Sequence, residues 1–177
     1  GFCAVPRVIE KLFDKIMLKG KNLAGIKKAL FFWAVNLGLR YELNGTNGWW
    51  YEFQLKIANK LIFTKWREAL GGNIQVIVSG GAPLQARLAR IFSAAKLIVQ
   101  EGYGLTETSP VIAVNKNHYP YLKFGTVGPL IENVEVKIAA DGEILMKGPS
   151  LMMGYYKDEK KTNEAIDKDG WFHTGDI

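Results

Sequence analysis

The chain has 177 residues, room for one domain or one and a half, and its 48% hydrophobic and 23% charged residues are ordinary for a folded globular protein, which excludes disorder. A net charge of +6 suits an anionic partner such as nucleic acid, anionic lipid or a phosphorylated small molecule. The basic residues are scattered in "KGKNLAGIKKAL" and mixed with acids in "YKDEKKTNEAIDKDG", as on a solvated surface, and neither an RNA-binding signature nor metal-finger spacing is present, so no nucleic-acid partner is expected.

The single Cys3 forms no internal disulfide and fits a reducing, cytoplasmic setting; with only His118 and His173 available, no local motif supports a Cys–His nucleophile. The first seventy residues read as helical. "VIEKLFDKIMLK" sets Val8, Ile9, Leu12, Phe13 and Ile16 on one stripe, and Leu23, Ile26, Leu30, Trp33 and Leu37 repeat the spacing. The apolar run "ALFFWAV" falls far short of the roughly 20 residues that span a bilayer. "NGTNGWW" interrupts the helical pattern, and a third helix is expected from about Phe53 to Leu70 with Leu55, Ala58, Leu61, Ile62 and Trp66 inward. Its polar side carries Lys56, Lys60 and Arg67, either a solvated face or a peripheral contact with a membrane surface.

Beyond "GGN" the pattern changes. "IQVIVS" is short, β-branched and apolar, as a strand covered on both faces of a parallel sheet is. "GGAPLQARLARIFSAAK" predicts a helix with Pro83 in its first turn and Leu84, Leu88, Ile91 and Phe92 buried, and "KLIVQ" predicts a second strand, completing a βαβ unit. From about Lys123 a β-rich piece follows: "VEVKIAADGEILMKG" reads as a hairpin about Asp141-Gly142, "KDEKKTNEA" as a short exposed helix and "GWFHTGDI" as extended chain. The expected division is 1–122, an α/β segment, and 123–177, the start of a β-rich subdomain. The opening on Gly1 without methionine and the close on "TGDI" predict a piece of a longer protein.

In an open parallel sheet ligands bind beyond the carboxyl ends of the strands, where "SGGAP" and "EGYGLTE" both lie. Gly80, Gly81, Gly102 and Gly104 allow close backbone approach, Tyr103 offers a ring for stacking, and Thr106 offers a hydroxyl to a phosphate oxygen. Glu107 beside such a threonine suggests Mg²⁺ between carboxylate and phosphate. The plainer reading makes "GYG" a turn, Tyr103 a core aromatic and Glu107 a helix-terminal charge. The dinucleotide fingerprint fails because Glu107 stands where its third glycine belongs, the Gly-Lys-Ser/Thr phosphate loop is absent, and Ser79 lacks the first glycine of a nucleophile elbow.

"VSGGAPL", "QEGYGLTETSPV", "GTVG", "GEILMKGPSLMMGYYKDEKKT" and "DGWFHTGDI", in that order, resemble successive motifs of the adenylate-forming acyl-CoA synthetases. "VPRVIEKLFDKIM" and "NKLIFTKWREALGGNIQVIVSGGAPL" resemble the long-chain fatty acid–CoA ligase branch. The resemblance implies an α/β fold: helices and a parallel-sheet βαβ unit of a large N-terminal domain, followed by part of a β-rich subdomain. It also implies a reaction in which a fatty acid attacks ATP to give acyl-adenylate and pyrophosphate, and coenzyme A then displaces AMP. By motif, Gly80, Gly81 and Ala82 line the adenine and acyl site, Tyr103 with Gly104 meets adenine, Thr106 binds the adenylate phosphate and Glu107 holds Mg²⁺. Asp176 accepts from the two ribose hydroxyls, for which one carboxylate is suited.

The family's Ser/Thr/Gly-rich phosphate loop and its C-terminal domain with a catalytic lysine have no counterpart here, so this segment alone is expected not to turn over. Where relatives carry Pro-Gly, "LIENVEV" has Asn133, which can adopt the left-handed conformation. A non-catalytic acyl- or nucleotide-binding module, or an enzyme adenylating another carboxylic acid, is the alternative.

Overall fold

A computed structural model describes all of residues 1–177. The chain begins with a strand, β1 (Phe2–Ala4), within the region that sequence pattern reads as wholly helical. Helix α1 (Pro6–Lys21) follows, with Pro6 in its first turn, where a missing N–H costs nothing, and Lys19 and Lys21 in its last, where cations meet the negative end of the helix dipole. Ile9 and Phe13 are buried, but Val8 is 49% exposed and falls outside the stripe.

Helix α2 (Gly25–Leu39) buries Leu37 of the expected stripe together with Phe31, Ala34, Val35 and Gly38, while Leu30 and Trp33 are half-buried and Ile26 is 79% exposed. The face is set by close approach. A Cβ on Gly38 would stand 2.8 Å from Ile91, and one on Gly20 of α1 would meet the Phe31 ring at 2.0 Å.

The third helix starts earlier than its pattern suggests, at Trp49. It runs as α3 (Trp49–Ala58), a π-helical stretch Asn59–Phe63, and α4 (Thr64–Ala69). The wide turn advances the inward face, so Tyr51, Leu55, Ala58, Phe63 and Trp66 are buried while Leu61 is 43% exposed. Its cause is polar. The Asn59 amide donates to Leu55 O at 3.1 Å and to Ala94 O at 2.9 Å, and Arg67 donates to Asn59 Oδ1 at 2.9 Å and to Ala95 O at 2.7 Å. Arg67 therefore caps a carbonyl at the end of a neighbouring helix, and it lines one groove with Lys56 and Lys60, as expected.

Strand β2 (Val76–Ser79), helix α5 (Ala86–Ala94) and strand β3 (Ile98–Tyr103) form the βαβ unit, with Val76 opposite Ile98 and Ser79 opposite Glu101 in parallel register. β1 pairs parallel with β2, and β4 (Ala113–Val114) closes the other edge antiparallel to β3. Leu84, Leu88, Ile91 and Phe92 are all buried, but Pro83 lies in the loop before α5, which opens only at Ala86. The Leu84 N–H explains this: it is held by Glu101 Oε2 at 3.3 Å and so is not free to start the helix. Burial of α1, α2, α3, α4 and α5 against the sheet builds one core of 21 residues.

A second sheet follows. β5 (Glu135–Ile138) and β6 (Ile144–Lys147) form the expected hairpin, Ile138 opposite Ile144, with Gly142 at φ 96° in the turn. β7 (Phe172–His173) adds antiparallel to β6. Asn133 takes the left-handed conformation at φ 62°, and the exposed helix α6 (Glu159–Ala165) is capped by Asp158, which accepts from Lys161 N–H at 3.0 Å. A small core of Ile112, Val134 and Met146 joins the two sheets. No helix is long and apolar enough to cross a membrane.

Candidate active site

The carboxyl ends of β2 and β3 open into one cleft of about 770 Å³. Its walls are the loop after β2, the segment 101–107, the Gly125–Val127 turn and Asp176 beyond β7. The two sheets thus meet over the site.

Of the residues singled out from sequence, Gly81, Ala82, Tyr103, Gly104, Thr106, Glu107 and Asp176 line this cleft together. Gly80 does not. Its N–H donates to Ala4 O at 3.3 Å, continuing the β1–β2 pairing, so its backbone is spent on the sheet.

Local chemistry shapes the 103–110 turn. A Cβ on Gly104 would stand 1.7 Å from Pro110 O, so only glycine fits there. The buried Thr108 hydroxyl accepts from Leu105 N–H at 3.0 Å and donates to Pro110 O at 2.8 Å, folding Thr106–Thr108 into a single 3₁₀ turn. Turning Thr108 inward leaves Thr106 and Glu107 on the cleft side. The Tyr103 hydroxyl donates to Asp176 Oδ2 at 2.6 Å; burial, and then this bond, push the phenol up to about 12.

Sequence reasoning missed three contributors. Glu101 is 7% exposed and its carboxylate accepts from Leu84 N–H at 3.3 Å and Gly125 N–H at 3.4 Å, bracing two walls of the cleft. Burial raises its pKa, and the two backbone donors oppose the shift. Tyr155, in the quoted "GYYKD", donates to Glu107 Oε1 at 3.0 Å, and that bond raises the phenol's pKa. Glu143, in the quoted "GEILMKG", accepts from Gly175 N–H at 2.8 Å and lies 2.7 Å from His173 Nδ1, gripping the turn that carries Asp176. For Glu101 the signal was a carboxylate directly behind the apolar run "KLIVQ".

Glu101, Glu107 and Asp176 give the cleft three carboxylates, and no lysine or arginine lines it. It can stack a ring, accept from vicinal hydroxyls and hold a cation, but it cannot neutralise a polyphosphate unaided. No group of three or more His, Cys, Asp or Glu side chains forms a self-sufficient metal site.

A family model described as AMP-binding enzyme matches residues 1–156. The chain is 39% identical over 98% of its length to a long-chain-fatty-acid–CoA ligase, FadD15, of Mycobacterium bovis, and 37% identical over 99% to long chain acyl-CoA synthetase 3 of Arabidopsis thaliana. It spans 29% and 28% of those relatives' lengths. Among solved structures, a malonyl-CoA ligase bound to methylmalonyl-CoA and AMP shares 33% identity at a TM-score of 0.52 over 67% of this chain and 28% of that one. A Mycobacterium tuberculosis fatty acyl CoA synthetase shares 26% at 0.51 over 64% and 26%. With its cleft at the strand ends and its motifs in order, the chain belongs to the AMP-binding enzyme family.

Proposed function

We propose that this chain is the nucleotide-binding part of a long-chain fatty acid–CoA ligase, whose whole protein joins a fatty acid to AMP at the expense of ATP and then passes the acyl group to coenzyme A. The observation that carries this is the gathering of Tyr103, Thr106, Glu107 and Asp176 around one cleft by segments 73 residues apart.

Each residue has a role that its chemistry supports. Tyr103 presents a ring to adenine from the end of β3, and Asp176, with two acceptor oxygens on an exposed turn, takes the ribose hydroxyls. Thr106 offers a hydroxyl to the α-phosphate. Gly81 and Ala82, in the loop after β2, also line the cleft and admit nucleotide and acyl group against the backbone.

Magnesium fits this donor set. One oxygen of Glu107 is held by Tyr155. A Mg²⁺ ion is usually bound through one or two carboxylates with substrate phosphates and water, so a single carboxylate in an otherwise acidic cleft suits it. Glu107 would hold the ion, which would neutralise charge on the phosphates. The proposal for the subdomains is that residues 1–122 carry the adenine wall and residues 123–177 bring the ribose acceptor.

The test is acid-dependent exchange of pyrophosphate into ATP by the full-length protein, comparing palmitate, acetate and benzoate. Exchange with palmitate, lowered at least about a hundredfold by Glu107→Ala, is expected, since a metal clamp supplies several kcal/mol. No exchange with any acid, or exchange indifferent to Glu107→Ala, would overturn the reading.

A further inference from the structure

The two oxygens of the Glu107 carboxylate are not equivalent. The Tyr155 hydroxyl donates to Oε1 at 3.0 Å, while no hydrogen bond or ion pair engages Oε2. Tyr155 itself does not line the cleft; it reaches Glu107 from the loop before α6, 48 positions along the chain.

That loop is fastened independently of the phenol. Met152 N–H donates to Glu107 O at 2.8 Å, which pins the segment before Tyr155 to the same residue through its backbone. Tyr155 N–H donates to Thr162 Oγ1 at 2.9 Å, and this hydroxyl donates in turn to Asp158 O at 2.9 Å. Gly154, at φ 148°, lets the chain pass so close, since a Cβ there would stand 2.8 Å from Thr162 Cγ2. With the backbone already held on both sides, the bond from the phenol to Oε1 is not needed to place the loop. Its effect falls on the carboxylate.

The number of oxygens a carboxylate offers decides which divalent cation it suits. Mg²⁺ is small and demands a near-ideal octahedron, in which the two oxygens of one carboxylate lie too close together to fill neighbouring corners. Ca²⁺ is larger, less regular in its geometry, and readily takes both oxygens of one carboxylate. We propose that the Tyr155 hydroxyl, by occupying Oε1, keeps Glu107 a one-oxygen ligand and so makes the site select Mg²⁺ over Ca²⁺. The inference rests on the reading of Glu107 as the residue that holds the cation. Tyr155 is then a positioning residue that works against the wrong ion more than for the right one.

The experiment uses full-length protein saturated with the α,β-methylene analogue of ATP, which no acid can cleave at the α-phosphate. Mn²⁺ is the probe, followed by electron spin resonance and displaced by Mg²⁺ or by Ca²⁺; the ratio of the two cancels any change in Mn²⁺ affinity itself. Tyr155→Phe keeps the ring and removes only the donor. Ca²⁺ should then compete about five- to tenfold better, a hydrogen bond to a charged group discounted for exposure, while Mg²⁺ changes about twofold or less. Thr162→Val loosens the Tyr155 backbone and should move the ratio the same way by about two- to threefold, deciding the matter should Tyr155→Phe not fold. Glu107→Ala should weaken Mn²⁺ binding. Unchanged Mn²⁺ binding in that variant overturns the reading of Glu107, and the proposal with it. Where Glu107→Ala does weaken Mn²⁺, a Mg²⁺ to Ca²⁺ ratio that Tyr155→Phe leaves unchanged overturns the proposal alone. A lowered thermal midpoint beside that unchanged ratio would make Tyr155 a loop pin only.

Discussion

The Tyr103 hydroxyl donates to Asp176 Oδ2 at 2.6 Å, tying the end of the parallel sheet to a turn 73 residues further along the chain. With its phenol held up to about 12, Tyr103 stays a neutral donor at any working pH. Tyr103→Phe keeps the ring and removes one hydrogen bond, so the KM for ATP in pyrophosphate exchange should rise only about threefold. Tyr103→Ala also removes base stacking, worth about 1–3 kcal/mol, and should raise KM about ten- to a hundredfold. Equal losses in the two variants would make the bond to Asp176, rather than stacking, the contribution of Tyr103.

Glu101 has a raised pKa because it is buried, so the native state holds its proton to higher pH than the unfolded chain does. Below the unfolded pKa both states are protonated. As pH climbs from there through the folded pKa, the unfolded chain ionises first and stability falls. Glu101→Gln removes this titration and leaves only one acceptor for the Leu84 and Gly125 N–H groups. Wild type should therefore be the more stable at low pH, with its margin over Glu101→Gln shrinking as pH rises above the ordinary glutamate pKa of about 4. Thermal midpoints along that rise check it; a margin that grows with pH would sink the account.

The βαβ unit was legible because a β-branched run, a 3.6-residue stripe and a second apolar run each carry their own period, and the hairpin because Asp141-Gly142 marks its turn. The strand Phe2–Ala4 was not, since three residues are too few to show alternation. Nor was the wide turn in the third helix, which depends on the Asn59 amide reaching Ala94 O, 35 residues away. The site divides likewise. Tyr103 at the end of β3, and Thr106, Glu107 and Asp176 in the segments beyond the strands, carry a chemistry that shows in their own neighbours. The bracing carboxylate of Glu101 and the phenol of Tyr155 take their meaning from partners 17, 24 and 48 positions distant.

Gly104 has no room for a side chain. A Cβ there would stand 1.7 Å from Pro110 O and 2.9 Å from Val111 Cα, both backbone atoms that cannot rotate aside. Gly104→Ala should therefore cost at least about 3 kcal/mol, at the upper end for overpacking. Gly81→Ala is the contrast: nothing lies within 4 Å of a Cβ there, and the penalty is only that of φ 81°, about 1–2 kcal/mol. Denaturant midpoints of the two variants should fall in that order.

Glu143 is a positioning residue for Asp176. One carboxylate oxygen accepts from Gly175 N–H at 2.8 Å, the other lies 2.7 Å from His173 Nδ1, and the neighbouring Ile144 N–H donates to Asp176 O at 2.9 Å. This grip holds the backbone of the turn and leaves the Asp176 side chain to face the cleft. Glu143→Ala should free the turn and raise the KM for ATP about tenfold, a charge-assisted bond discounted for partial exposure. The exchange rate at saturating ATP should change little, because the reacting groups are untouched. Glu143→Gln keeps an acceptor for Gly175 and should recover most of the loss. A variant that lowers the thermal midpoint yet leaves the KM for ATP unchanged would reduce Glu143 to a hairpin brace with no part in holding nucleotide.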